Sequence, residues 1–253
     1  FTGLVGGDLA SLFSSITPNF GAVDANTGIG TYAIDAAIAS TTNYNVTNTP
    51  ATNLTINARA LSVGTDAKAI TYGDAAPAYT GSHNLTAYDA GLISWTYAPT
   101  GYAGNAGTYQ ITATATDPSS RLANYTRTNT YNNLTVAKKN ITASWTAPLT
   151  RTYGNANPTV DYNNFSFTGL VGGDLASLFS SITPNFGAVD ANTGIGTYAI
   201  DAAIASTTNY NVTNTPATNL TINARALTVN TDNKTVGYGD AAPAYTGSHN
   251  LTA

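Results

Sequence analysis

The chain has 253 residues, a formal net charge of −4 and only 9% charged residues, and all 13 of its acidic residues are aspartates. With nine basic residues it offers no basic stripe that could follow a nucleic-acid backbone, so nucleic acid is not an expected partner. The absence of cysteine excludes disulfides, thiolate zinc sites and cysteine nucleophiles. No apolar run approaches the roughly 18 residues of a spanning helix, so no membrane span is expected in this segment.

The remaining composition favours strands over helices. The chain has no methionine and no glutamate, which removes two of the better helix formers. It has 23 glycines and 16 tyrosines, and threonine and asparagine are abundant. Tyrosine and threonine favour strands, whereas glycine and asparagine favour tight turns. We therefore predict an all-β fold.

A long repeat dominates the chain. Phe1 to Leu61 recur without a change as Phe167 to Leu227, a shift of 166 positions, and the match continues to the end of the chain. The differing pairs are Ser62/Thr228, Gly64/Asn230, Ala67/Asn233, Ala69/Thr235, Ile70/Val236 and Thr71/Gly237. Near-identity over a whole period indicates recent tandem duplication.

An older repeat divides each period into two modules. Thr-Tyr-Gly at 71–73 recurs at 152–154, and Asn-Tyr at 124–125 recurs at 209–210. Each module is large enough to bury one small core. The predicted segments are 1–60, the C-terminal part of a module; 61–140, a complete type A module; 141–226, a complete type B module; and 227–253, the opening strands of the next type A module.

Alternation of apolar and polar residues predicts most of the strands. The only helical candidate is Asp174 to Phe179, with Asp174 placed as its N-cap. In chain order, strands are predicted at Tyr109–Thr116, Leu134–Val136 and Gly196–Ala205, a closing hairpin at Tyr210–Ile222, an opening strand at Leu227–Asn230 and a second strand after Pro243.

Six motifs of the type B module resemble one known family: Ile141-Thr142, Thr152-Tyr153-Gly154, Phe167 to Asp174, Gly196 to Ile200, Asn209-Tyr210 and Asn219 to Ile222. The pattern is similar to the mostly-β, glycine-rich (MBG-type) modules that form long arrays in large bacterial adhesins and haemagglutinin-like exoproteins. The resemblance extends over the whole chain. Its motifs are turn and strand signatures without catalytic residues, so it implies an extended, non-catalytic role at the bacterial cell surface.

For the fold, we expect tandem small β-sandwich modules of Ig-like character in an elongated array. The alternative is a β-grasp-like module with one short helix each, the helix being the candidate at Asp174. The tyrosines of the Gly-Thr-Tyr and Asn-Tyr motifs are expected to pack in the core while the hydroxyl caps a turn, as in the tyrosine corner of sandwich domains. The alternative is that they form an aromatic ligand-binding strip.

Four aspartates are candidate calcium ligands: Asp8, Asp74, Asp174 and Asp240, which lie in glycine-rich turns near the predicted module borders. Calcium sites use several oxygen ligands close together, whereas these carboxylates are isolated in sequence. Turn and cap chemistry explains a Gly-Asp pair without an ion. Calcium is thus the one cofactor candidate.

The two tryptophans, Trp95 and Trp145, are the candidate ligand-binding residues. An exposed, flat aromatic patch would favour a carbohydrate- or surface-binding adhesin module, whereas buried rings would favour a structural role. No acid, base and nucleophile group is apparent in the sequence, so an enzyme is not expected.

The favoured function is a structural repeat segment of an extracellular, bacterial cell-surface fibre or adhesin stalk, of the kind found in biofilms. Neighbouring modules of the same protein are the expected partners. Residues 1–60 lack opening strands, and residues 227–253 are opening strands without a body. Copies could therefore assemble head to tail or laterally through residues 1–60 and 227–253 by donated strands.

Overall fold

The structure is a computed structural model that describes residues 1–47 and 51–250. These residues form 19 strands, one four-residue α-helix and four single-turn 3-10 helices. The prediction of an all-β fold is thereby confirmed. The chain divides into two compact units. Unit 1 comprises Phe1–Ile70, Ala75–Ala103 and Gly107–Val136, and unit 2 comprises Thr71–Asp74, Gly104–Ala106 and the described residues from Ala137 onwards.

The first three strands form a single antiparallel sheet. A 3-10 turn at Ala10–Leu12 precedes β1 (Ile16–Asn19), β2 (Gly30–Ile38) and β3 (Ala51–Ile56), which pair in the order β1-β2-β3. One face of this sheet is open to solvent, and Ile16 of β1 is 51% exposed.

The type A segment is a sandwich of two sheets. One sheet has the order β6-β4-β9 and the other has the order β5-β10-β8-β7. Leu61 and Val63 of β4 share a buried cluster with Ala113 of β8, so the core lies between the sheets. The elements are β4 (Arg59–Thr65), β5 (Lys68–Thr71), β6 (Gly81–His83), α1 (Ala87–Ala90), β7 (Ser94–Pro99), β8 (Gly107–Thr116), a 3-10 turn (Arg121–Asn124), β9 (Tyr125–Thr130) and β10 (Asn133–Ala137).

The type B segment repeats this topology strand for strand. Its sheets have the orders β13-β11-β16 and β12-β17-β15-β14, and β11 pairs in parallel with β16 as β4 does with β9. The elements are β11 (Lys139–Trp145), β12 (Leu149–Thr152), a 3-10 turn (Tyr162–Asn164), β13 (Phe165–Thr168), a 3-10 turn (Ala176–Leu178), β14 (Ile182–Asn185), β15 (Gly196–Ile204), β16 (Tyr210–Val212) and β17 (Ala217–Asn223). The chain then forms the pair β18 (Val229–Thr231) and β19 (Gly247–His249).

Each complete module is therefore a seven-stranded, two-sheet sandwich. The prediction of small β-sandwich modules is confirmed. The type B core joins both sheets through Ile141 and Ala143 of β11, Ala202 of β15 and Tyr210 of β16. Alternate residues of these strands point inward, which is the pattern expected of half-buried strands. The borders between the four predicted segments stay a prediction.

Two predicted elements were wrong. The helix from Asp174 to Phe179 is only the 3-10 turn Ala176–Leu178, with Leu175 at the N-cap position and no side-chain cap bond. The Asp174 carboxylate instead accepts a hydrogen bond from the hydroxyl of Tyr210. Phe179 directly follows this turn, has a non-helical backbone with φ −99° and ψ 55°, and is buried in the core at 1% exposure.

The predicted hairpin at Tyr210–Ile222 is not a hairpin, because its two strands belong to different sheets. Asn214 lies between them, accepts the Ala143 N–H at 2.8 Å and donates to the Ala143 carbonyl at 2.7 Å. This side chain satisfies the backbone of β11 where strand pairing ends. The chain can therefore leave one sheet and enter the other.

Candidate functional site

The same tyrosine–aspartate pair occurs three times, each time with the two residues 36 positions apart. Tyr44 donates to Asp8, Tyr125 to Asp89 and Tyr210 to Asp174, all at 2.5 Å. Each hydroxyl also accepts the backbone N–H of the residue three positions before the aspartate. These donors are Val5 at 2.8 Å, Thr86 at 3.3 Å and Val171 at 2.7 Å. In the type A and type B segments, the pair thus fixes the loop that crosses from the first sheet to the second.

Tyr210 is the most deeply buried of the three tyrosines, with 0% of its surface exposed. Burial and the hydrogen bond to Asp174 raise the pKa of the Tyr210 hydroxyl to about 12. The hydroxyl is therefore neutral at physiological pH and acts as a donor to a carboxylate. The centroid of the Tyr210 ring lies 5.7 Å from that of Phe179, so the hydrophobic core continues up to the loop that holds Asp174.

Asp174 has a second donor in Tyr72, and both residues belong to unit 2. The Tyr72 hydroxyl donates to Asp174 at 2.9 Å, and its ring meets Tyr210 edge to face at 5.3 Å. The hydrogen bond to Asp174 raises the pKa of Tyr72. Gly73 follows with φ +88°, and a Cβ placed there would lie 2.5 Å from Val171 Cγ2. The Thr71–Asp74 turn is therefore closely packed against the Tyr210–Asp174 pair.

Asp89 of the type A module uses an arginine as its second donor. Arg121 Nε lies 2.8 Å from Oδ1 of Asp89. Asp89 is buried, with 5% of its surface exposed. Burial alone would raise the pKa of Asp89, but hydrogen bonds from Tyr125, Arg121 and Thr86 outweigh it and hold the pKa below its usual value. The carboxylate is therefore ionised at neutral pH and held by three side chains.

The four calcium candidates have identified partners within the chain. Asp8 and Asp174 belong to the tyrosine pairs, while Asp74 and Asp240 accept the backbone N–H groups of Thr71 and Gly237 at 2.8 and 2.9 Å. Over residues 1–47 and 51–250, no three His, Cys, Asp or Glu side chains are grouped so as to hold a metal. Calcium binding stays a prediction.

Both tryptophans are half-buried. Trp95 packs on the type A core. Its ring centroid lies 5.9 Å from that of His83 and 4.9 Å from the guanidinium carbon of Arg127. Trp145 lies 4.4 Å from Phe165 and donates through Nε1 to the Pro216 carbonyl at 3.0 Å. The contacts describe rings used for packing, and a ligand role for either stays a prediction.

Sequence reasoning missed the partner of each Asn-Tyr tyrosine. The signal was present, because Tyr44, Tyr125 and Tyr210 each follow an aspartate by 36 residues. Asp89 was obscured, since Ala87 and Tyr88 precede it where two glycines precede the aspartate in the other two copies. The arginine at 121 has no counterpart in the type B module, where Ser206 occupies the equivalent position.

The fold and the recurring pair define a tandem-repeat protein built of small β-sandwich modules. Residues 141–221 match the family model of the MBG domain, YGX type. This match confirms the resemblance seen in the type B motifs, which include Tyr153-Gly154-Asn155.

Other comparisons add little. No curated protein matches the chain. Among solved structures, the crystal structure of Drosophila N-cadherin EC1-4 is similar at 12% identity and a TM-score of 0.33, over 79% of this chain and 59% of that one. A TM-score this low does not establish a shared fold. Within the described residues, no helix combines the length and apolar character needed to cross a membrane.

Proposed function

We propose that this chain is a non-catalytic structural repeat segment of an extracellular fibre or adhesin stalk at a bacterial cell surface. One observation carries the proposal: the same seven-stranded sandwich is built twice in succession, with the same loop fastened by the same tyrosine–aspartate pair. Repeat proteins of this kind gain stability from each module and from neighbouring modules. Adding modules therefore adds length without requiring a larger core.

The state of the polar groups supports a non-catalytic role. General acid–base catalysis favours groups whose pKa lies near the working pH. The pKa of Tyr210 is raised to about 12, and that of Asp89 is held below its usual value. Both groups keep one protonation state at neutral pH, and both are saturated with hydrogen bonds inside the module. They serve to hold loops.

The length of repeat arrays tests the proposal. Proteins carrying one, two and three copies of the 166-residue period are compared by rotary-shadowing electron microscopy and small-angle scattering. A stalk segment is expected to gain the same contour length with each added period. Particles whose longest dimension stays nearly constant from one copy to three would overturn the proposal.

Self-assembly is supported by the exposed apolar residues of the terminal segments. Ile16 of residues 1–60 is 51% exposed, whereas its identical copy Ile182 is half-buried in the type B module. Val229 of the final strand pair is 64% exposed. An extended segment with alternating apolar residues could cover the open sheet of another copy.

Sedimentation equilibrium tests this assembly. The full chain is expected to associate as its concentration rises, and removal of residues 227–253 is expected to abolish the association. A chain that stays monomeric at high micromolar concentration, or that associates equally well without residues 227–253, would rule out donated strands.

The alternative function is a carbohydrate- or surface-binding adhesin module. A glycan array separates it from the structural role, with Trp95→Phe and Trp145→Phe as variants. Saturable binding that either substitution abolishes, while the modules stay folded, would establish the alternative.

A further inference from the structure

Two loops of the chain are held by the asparagine of an Asn-Tyr motif that belongs to the following repeat. In unit 1, the Ile29 N–H donates to Asn124 Oδ1 at 2.9 Å. In unit 2, the Ala106 N–H donates to Asn209 Oδ1 at 2.9 Å. Ile29 and Ala106 are equivalent residues, since each directly precedes the Gly-Thr-Tyr of a long central strand.

We infer that the asparagine of each Asn-Tyr motif is the residue through which a module binds the loop of the module before it. The inference rests on the proposed function and assigns a binding residue to it. Asn124 and Asn209 are half-buried, whereas Asn43, the copy of Asn209 in residues 1–60, is exposed. The two asparagines that contact a preceding loop are thus the two whose side chains are enclosed.

The space around the asparagine supports this assignment. In unit 2, Asn209 Nδ2 also donates to Asn105 Oδ1 at 3.0 Å. The residue equivalent to Asn105 in unit 1 is Gly28, where a Cβ would lie 2.9 Å from Asn124 Oδ1. The identical Gly194 has no atom within 4 Å of such a Cβ. Gly28 therefore leaves room for the asparagine amide.

A second contact accompanies the asparagine in both units and differs between them. In unit 1, Arg121 Nη2 donates to the Asn26 carbonyl at 2.9 Å while Nε of the same side chain holds Asp89. In unit 2, the Tyr72 hydroxyl donates to Asp174. In unit 1 the Tyr–Asp pair is thus tied through Arg121 to the loop that the asparagine contacts. In unit 2 it is tied through Tyr72 to the Thr71–Asp74 turn, which is a different loop from that of Ala106.

Hydrogen exchange of the Ala106 amide tests the inference in the full chain. Residues 102–115 occur once, so their peptides are unambiguous, whereas a peptide around Ile29 has the same mass as its copy around Ile195. Asn209→Ala is expected to raise the exchange rate of the Ala106 amide at least about fivefold, the factor that one net hydrogen bond represents. Asn209→Asp retains the acceptor and is expected to preserve most of the protection.

The matched control is Asn43→Ala, which makes the same change in the same local sequence and should leave the Ala106 amide unaffected. Trp145 fluorescence verifies that the type B module remains folded in each variant. Faster exchange confined to residues 207–213 of Asn209→Ala, with Ala106 unchanged, would show that the asparagine only orders its own turn and would overturn the inference. That result would overturn the inference about the asparagine but not the proposed stalk, which the length test addresses. Conversely, a failed length test would overturn the stalk, and the Asn209–Ala106 bond could still be measured by hydrogen exchange.

Discussion

The buried hydroxyl of Tyr210 offers the sharpest test of how the type B module is held together. Tyr210→Phe removes a donor to the Asp174 carboxylate and the acceptor of the Val171 N–H, while the ring can stay in the core. A hydrogen bond to a charged group contributes roughly 1.5–3 kcal/mol, and an unpaired backbone N–H adds to the loss. Tyr72 still donates to Asp174 and limits the damage. We expect the free energy of unfolding to fall by about 2–3 kcal/mol.

Urea denaturation followed by tryptophan fluorescence measures this loss. In a Trp95→Phe background the signal comes from Trp145, which packs against the same core cluster as Tyr210. With a urea m-value of roughly 1–1.5 kcal/mol/M, the midpoint is expected to fall by about 2 M.

The control is Tyr44→Phe, in a stretch of sequence identical to that around Tyr210. Tyr44 makes the same two bonds, to Asp8 and Val5, but lies outside the type B module. It should change the Trp145 transition by less than about 0.5 kcal/mol. Equal shifts for the two variants, or no shift for Tyr210→Phe, would refute the view that the pair stabilises its own module.

Three further predictions concern the same loops. Because the folded-state pKa of Tyr210 is raised to about 12, its contribution to stability is complete below pH 10 and is lost as the pH rises from 10 to 12; alkaline unfolding curves should show this loss, and Tyr210→Phe should lack it. Because the pKa of Asp89 is lowered, its contribution is lost as the pH falls below about 4, and Asp89→Asn should cost about 2 kcal/mol in urea unfolding at pH 7 but little in acid. Gly73→Ala should lower the stability by about 1 kcal/mol more than Gly239→Ala in thermal melts, because both glycines have left-handed φ but only a Cβ at 73 meets Val171; equal losses would contradict the packing argument.

Much of the fold could be predicted because it depends on local pattern. The strand at Gly107–Thr116 alternates inward and outward residues along its length, and the sequence shows the same alternation. The hairpin prediction for Tyr210–Ile222 failed, because which sheet a strand joins depends on partners distant in sequence. The strand β16 pairs with Lys139–Ile141, about 70 residues earlier in the chain, and the sequence around Tyr210 does not indicate this partner.

The candidate site divides in the same way. Sequence reasoning found Asp8 and Asp174 as special positions and expected the Asn-Tyr tyrosines to cap a turn. It weighed calcium against turn chemistry for the aspartates, and it did not identify the tyrosine donors of Asp8 and Asp174, because residues 36 positions apart come together only in the folded chain. Calcium binding itself stays a prediction. The prediction that Asp174 caps a helix failed for the same reason. Its carboxylate accepts a hydrogen bond from the buried hydroxyl of Tyr210 and does not bind a backbone N–H of the following turn.

The duplicated sequence shows most directly what sequence alone determined and what tertiary structure decided. Identical residues at 16–19 and 182–185 form the same strand and pair with the same register, because their partner strand is copied with them. Tyr210–Val212 is a strand but Tyr44–Val46 is not, although the residues are the same. The first has β11 to receive its hydrogen bonds and cover its side chains, and the second has no such partner within the described residues. Local sequence therefore determined the turns and the alternation. The tyrosine–aspartate pair forms in both copies because both of its residues are copied together, whereas the burial of Tyr210 and the extension of its strand required a neighbouring strand.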